Sequence, residues 1–251
     1  MKHSKSSPNS PTKTPTGIEG FDQITGGGMP RGRTTLLSGG PGSGKTIFAL
    51  QFLVRGARDY KEPGIFVAFE ETSASLIANA EGFGWNLPEL QRKKLLCLID
   101  AQPQPELIQS GTFDLSGMLA ALGAQIKAVG ARRIVFDALD ILLAMLPDAA
   151  TKRHEIYRLH EWLLARDITA LITSKSGGDD GNFFSFMQFM VDCAVVLNHR
   201  VELGVSQRNL RVQKFRGSGF DENESPFVIG KNGFDVAIAR ILGREDATVT
   251  N

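Results

Sequence analysis

Gly39-Gly40-Pro41-Gly42-Ser43-Gly44-Lys45-Thr46 decides the fold. The run fits G-x-x-x-x-G-K-[S/T], and it stands between a short β-rich stretch, residues 34–38, and a segment, 45–58, in which Phe48 and Phe52 recur at helical spacing. Strand, glycine loop and helix in that order let the backbone bend until several N–H groups converge on phosphate oxygens, with the helix N-terminus adding its dipole. Lys45 is then expected to reach the β- and γ-phosphates and the Thr46 hydroxyl to ligate Mg²⁺. Gly40, Pro41, Gly42, Ser43, Gly44, Lys45, Thr46 and Ile47 are the nucleotide-binding residues this reading predicts.

Outward from the loop, β-rich runs recur at 64–69, 95–100, 134–137 and 168–173, separated mostly by helical patterns. Leu115, Met118, Leu119, Leu122 and Ile126 make one such pattern; Ile156, Leu159 and Leu163, within 152–166, make another. Alternation of this kind implies parallel strands with helices on both faces. Beyond Asp192 the period changes to two through 194–202, a turn around Gly204, and 209–215, an antiparallel hairpin added to the sheet. A second, smaller hairpin is predicted to turn at Asn232-Gly233, between 226–229 and 234–238. The fold class expected is α/β, a mostly parallel central sheet with flanking helices and a C-terminal antiparallel hairpin extension.

A phosphate loop of this type works with a carboxylate at the tip of a neighbouring buried strand, on the metal side. Asp137, ending Arg132-Arg133-Ile134-Val135-Phe136-Asp137, is the candidate, with Asp140 in reserve. Glu70 and Glu71 end the strand after the loop's helix, at the carboxyl edge of the sheet where ligands of open α/β proteins gather. Either could polarise an attacking water; successive strand residues point to opposite sides, so one of them faces the phosphate. Thr173 and Ser174 end the next strand, where a hydroxyl could sense the γ-phosphate or merely shape a turn. Lys214 and Arg216, one residue apart on a strand, project from one face. They fit trans-acting contacts to phosphates on a neighbouring subunit, or the solvated cations of an edge strand equally well.

Composition narrows the classes. With 251 residues the default is one domain, and 42% hydrophobic residues suffice for a core. The 28 basic and 27 acidic side chains leave a net charge of +1, which lacks the field of a non-specific nucleic-acid coat. Cys97 and Cys193 have neither disulfide nor zinc spacing, and His3, His154, His160 and His199 have no metal-ligand spacing. Without a signal-type or membrane-spanning apolar run the expected location is the cytoplasm and no membrane partner is expected. Residues 1–15 hold three lysines, four serines and three prolines with no acid, and are predicted to form a disordered basic tail outside the fold. The domain is drawn over 16–242, followed by a polar tail or linker, 243–251.

The chain resembles the KaiC family of RecA-like circadian clock ATPases. The resemblance runs from about residue 16 to 238 and rests on Gly17-Ile18-Glu19-Gly20-Phe21-Asp22, Gly27-Gly28-Met29-Pro30-Arg31-Gly32-Arg33, the glycine loop, Phe69-Glu70-Glu71-Thr72, Phe83-Gly84-Trp85, residues 132–137 and Lys214-Phe215-Arg216-Gly217. It implies a RecA-like fold and ATP with Mg²⁺ held between subunits of an ATP-dependent homohexamer. It also implies a partner of the KaiB kind, or another signalling protein, in a clock-like or stress-regulatory role. By the same resemblance Lys45 and Thr46 match the phosphate and magnesium residues, Glu70 and Glu71 a catalytic glutamate pair, and Asp137 the second metal-side carboxylate. Lys214, Phe215 and Arg216 match the trans nucleotide contacts, with Arg216 completing the catalytic set.

Two departures stand out. KaiC proper carries two copies of the domain and this chain has one, closest in character to the N-terminal ATPase half. A natural single-domain protein and the first half of a longer KaiC both fit. The second copy of the family autophosphorylates on adjacent serine and threonine, where this chain has Gln188 and Phe189, which argues against an autokinase, though not against the family. A nucleic-acid-dependent ATPase of the same fold is the other alternative; Arg200, Arg208, Arg211, Lys214 and Arg216 favour it, while the loop 176–182, with two aspartates and no cation, opposes it.

Overall fold

The structure, a computed structural model, describes residues 11–102, 115–175, 181–202 and 204–237; of 181–184 it describes the helical backbone alone. In chain order, Lys13–Thr14 (β1) pairs antiparallel with Met29–Pro30 (β2) on either side of the helix Glu19–Ile24 (α1). Thr34–Gly39 (β3), Lys45–Asp59 (α2), Gly64–Ala68 (β4), Ser73–Glu81 (α3), Leu87–Arg92 (α4) and Leu96–Asp100 (β5) follow. After residue 114 come Leu115–Val129 (α5), Arg133–Asp137 (β6), Leu139–Leu143 (α6), Ala149–Leu164 (α7), Thr169–Lys175 (β7) and Gly181–Met190 (α8). The chain then turns to Cys193–Glu202 (β8), Val205–Phe215 (β9), Ser225–Gly230 (β10) and Gly233–Val236 (β11).

Nine strands make one sheet in the order β11-β10-β9-β8-β3-β7-β6-β4-β5. From β8 to β5 every pairing is parallel, and from β8 outward to β11 every pairing is antiparallel. The parallel part has both faces covered, which is why β4 and β6 are buried at all five of their positions. Period-two alternation sorts their side chains. Ile65, Val67, Ile134 and Phe136 pack with α5, α6 and α7, whereas Phe66, Ala68 and Val135 pack with α2 and α4.

α2 is fixed from three sides. Its Phe48 ring meets Phe21 of α1 at 5.2 Å and Phe234 of β11 at 5.1 Å, both edge to face, and Phe52 is fully buried. Burial of side chains of this size is worth roughly 1.5–3 kcal/mol each. Beneath α2, Arg133 of β6 is wholly buried: Nη1 donates to the Phe52 carbonyl at 2.9 Å, Nε to Glu62 at 2.8 Å, and the guanidinium lies 4.6 Å from the Phe52 ring centre. Burial would raise the Glu62 carboxyl, but Arg133 and Arg31 beside it hold it below the ordinary carboxylate value. A buried arginine kept by a carboxylate, a carbonyl and an aromatic face leaves no charge uncompensated.

Three boundaries differ from those read in the sequence. Lys13 and Thr14 belong to the fold: Thr14 is fully buried, its hydroxyl is 3.0 Å from that of Thr169, and Lys13 donates to the Thr25 carbonyl. The reading of 1–15 as an unpacked tail therefore fails at its last residues; polar composition hid a strand whose partner, β2, lies fifteen residues on. The small hairpin turns one residue earlier than expected, at Lys231 and Asn232, because Gly230 pairs with Gly233. Gly233 has φ +104°, and a Cβ there would fall 2.2 Å from the Gln51 side-chain oxygen. The helix expected over 152–166 begins at Ala149, capped by Asp148, whose carboxylate accepts from the N–H groups of Ala150 and Thr151. Residues 1–10, 176–180 and 238–251, on which parts of the tail, loop, second hairpin and linker readings fall, lie outside the described residues.

Candidate functional site

The loop between β3 and α2 opens onto a cavity of about 750 Å³ at the carboxyl ends of β3, β4, β6 and β7. Gly42 and Gly44 hold φ of +69° and +95°, and a Cβ on Gly44 would lie 2.6 Å from Ile229 Cδ1. The left-handed bend there is open to glycine and costly for any other residue. No side chain caps α2, so the first N–H groups of the helix are left for an anion. Inside the loop the Ser43 hydroxyl is buried without a hydrogen-bond partner. These features fit a phosphate group.

Lys45 reaches back over the loop, its Nζ donating to the carbonyls of Gly39 at 2.8 Å and Gly40 at 3.1 Å. Burial lowers its pKa, against the opposing pull of Asp137, Asp140 and Glu70. Thr46 Oγ1 donates to Asp137 Oδ2 at 2.8 Å, and Thr173 Oγ1 donates to the other carboxylate oxygen. Burial pushes the Asp137 carboxyl up, and the two hydroxyls and the Lys45 charge pull it back. The Asp137–Ala138 peptide bond is cis. Thr46 and Asp137, expected from sequence to share a metal ion, are thus brought together as a pair of oxygen donors.

Asp140 is engaged elsewhere. It accepts from Ser174 Oγ at 2.6 Å and from the Lys175 N–H at 2.5 Å, closing the end of β7. Thr173 and Ser174 are both buried and serve these carboxylates, not the cavity wall.

Glu70 and Glu71 both line the cavity. Their side chains have different surroundings. The Glu70 carboxylate is half exposed, with Lys175 Nζ at 3.8 Å. The Glu71 carboxylate accepts from Ser75 Oγ and Asn79 Nδ2, each at 3.0 Å. The two acids lie together at one sheet edge, as the sequence placed them, but both line the cavity where one alone was expected to face it, and the unequal partners of the two are visible only with α3 in place.

Lys214 and Arg216 do project to one side, as their spacing predicts, and line a separate cavity of about 500 Å³. Their neighbours in the chain are the last carbonyls of α8. Lys214 Nζ donates to Gln188 and Phe189 at 2.8 Å, and Arg216 Nη2 to Phe189 at 2.6 Å. Cations at a helix C-terminus complement its dipole. Phe215 departs from its expected place in a nucleotide site: its ring is buried, 6.4 Å from Phe220, with Lys13 above it. Alternation sends it into the core while its neighbours face out.

Sequence reasoning missed Arg208, Lys175 and the apolar lining. Arg208 of β9 reaches the phosphate-loop cavity, and its buried Nε has no partner. Leu50, Leu76, Phe83 and Ile229 give the same cavity apolar walls suited to a base. The basic run proposed for nucleic acid does not form one surface: Arg208 lines this cavity, Arg211 donates to the Glu222 carbonyl, and Lys214 and Arg216 cap α8. Gln188, standing where a phosphate acceptor would be, is hydrogen-bonded to Gln213 at 2.7 Å. Among the described residues no group of acids, histidines and cysteines forms a metal cluster, and no helix is long and apolar enough to cross a membrane.

Comparison with known proteins agrees with this geometry. The family model of the KaiC ATPase matches residues 14–240. The circadian clock protein KaiC2 of Synechocystis is 39% identical over 225 residues, which span 89% of this chain and 40% of that protein. The circadian clock oscillator protein KaiC of Parathermosynechococcus lividus is 38% identical over 227 residues, 89% of this chain and 42% of its own length. The chain therefore spans about two fifths of these relatives. Among solved structures, a KaiC-like protein from the archaeon Pyrococcus horikoshii superposes with a TM-score of 0.80 at 29% identity, covering 90% of this chain and 99% of that one. Phosphate loop, paired oxygen donors, sheet order and these likenesses converge: the chain belongs to the KaiC family of ATPases.

Proposed function

We propose that this domain hydrolyses ATP at the interfaces of a homohexameric ring and uses the hydrolysis to set a conformation that a partner protein reads. The observation that carries the reading is the cavity floor, where Lys45, Thr46 and Asp137 meet beneath an uncapped helix start. The backbone N–H groups of 40–46 cradle the phosphates and Lys45 exchanges its two loop carbonyls for phosphate oxygens. Thr46 and Asp137 offer the hard oxygen donors that Mg²⁺ prefers. Mg²⁺ held by these donors would supply positive charge against the charge that develops on the phosphates. Glu70 orients the attacking water, because its carboxylate is the less engaged of the pair.

Lys214 and Arg216 line a cavity apart from the phosphate loop, which supports a role on the nucleotide of a neighbouring copy. There they stabilise charge in the transition state, and a trans arginine of this kind is worth roughly 10³–10⁵ in rate. In this reading the ring signals to a KaiB-like or other regulatory protein in a clock-like or stress role in the cytoplasm; family membership and the two free cysteines support it. Solution mass with and without ATP-Mg²⁺ tests the assembly: six-fold association on nucleotide addition is expected, and a lone chain splitting ATP at full rate would end the reading. Arg216→Ala is expected to lower turnover by about 10³ with the ring intact; a loss below about tenfold would remove its assignment.

A further inference from the structure

α3 carries more than a cavity wall. Thr72 caps it, its hydroxyl accepting from the Ser75 N–H at 3.2 Å, so the first turn is already satisfied without Glu71. Yet Ser75 and Asn79, one turn apart on the same face, both donate to a single oxygen of Glu71 at 3.0 Å. The Glu71 backbone is held as well, its carbonyl accepting from Gln102 Nε2 at 2.5 Å. Leu76 and Asn79 of α3 and Phe83 just beyond it also line the cavity, so the cavity wall and the donors that hold Glu71 come from the same stretch of chain. Two donors on one carboxylate oxygen fix the side chain's direction as well as its distance from the helix.

We propose that Ser75 and Asn79 are positioning residues: they hold the Glu71 carboxylate in hydrogen bonds to α3 at the cavity wall and thereby leave proton abstraction to Glu70. The proposal rests on the hydrolytic reading above and goes further, since it gives the two adjacent acids unequal work and makes the inequality a property of α3. Releasing the clamp should let Glu71 stand in for its neighbour.

Steady-state ATP hydrolysis by four forms of the full chain tests this: wild type, Glu70→Gln, Ser75→Ala/Asn79→Ala, and the triple variant combining all three changes. Glu70→Gln is expected to lower kcat by about 10², the usual range for removing a general base. The triple variant is expected to recover about tenfold over Glu70→Gln, with the KM for ATP within about twofold of wild type in every form. A merely structural role for Ser75 and Asn79 would give the opposite sign, a further loss. No recovery with KM preserved overturns the clamp while leaving the hydrolytic reading standing. Wild-type kcat in Glu70→Gln overturns the choice of Glu70, and the clamp with it. Turnover absent from wild type itself defeats the hydrolytic reading.

Discussion

Asp137 shows how far a single residue could be read and where the reading stopped. Its place at the end of a buried strand was legible from the run Ile134-Val135-Phe136, but the hydroxyls that hold it come from Thr46 and Thr173, 91 and 36 residues away. Burial raises its pKa, and each hydroxyl lowers it by favouring the charged form. The folded state therefore holds this proton more tightly than the unfolded chain does. By linkage this group costs stability as pH rises from its unfolded value through its raised one, and the cost is relieved as pH falls. Metal binding runs the other way, since it needs the ionised form. Activity at limiting Mg²⁺ should fade on acidification while ordinary carboxylates are still charged. Thr173→Val, which removes a donor to the charged form, is expected to move that acid limb to higher pH. A pH profile of kcat/KM with an unmoved limb would show that Thr173 does not tune the metal site.

Between elements, period and punctuation read well where contacts are local and poorly where they are distant. The core strands and α2 followed from alternation and from Phe48 and Phe52. β1 did not, because a two-residue strand has no period and its partner β2 lies on the far side of α1. The turn at Lys231 and Asn232 was displaced by one because Asn-Gly is a frequent turn pair, whereas here Gly233 closes the ladder and leaves room for Gln51. Arg208 reads as part of a basic stripe, since sequence spacing does not say which face of the eleven-residue β9 meets a cavity. Phe48 is the rivet joining α1, α2 and β11. Phe48→Ala should cost about 3–5 kcal/mol, lowering Tm by about 10 °C. A shift under about 2 °C in thermal unfolding would show that the hairpin and α1 are held by other contacts.

At the scale of the whole molecule, the sharing of a site between copies can be tested without a structure of the assembly. Lys45→Ala lacks the phosphate lysine and Arg216→Ala lacks the trans cation, so either ring alone should be nearly inactive. Mixed and reassembled in equal amounts, they should regain about a quarter of wild-type turnover, because one interface in four pairs an intact lysine with an intact arginine. A mixture no better than its components would place both residues on the same copy's nucleotide.

One strand supplies cations to both cavities. Arg208 of β9 lines the chain's own phosphate-loop cavity, and Lys214, six residues further along the same ladder, caps α8 on the outward face. At about 3.3 Å per residue the two cations are held roughly 20 Å apart on a strand paired with β8. The ladder between them is not uniform, because its register shifts between Ala194 and Val195, opposite Lys214 and Val212. If the domains close into the ring proposed above, this strand would lie between one copy's phosphate loop and the next, and a change at either end would have to cross that irregularity.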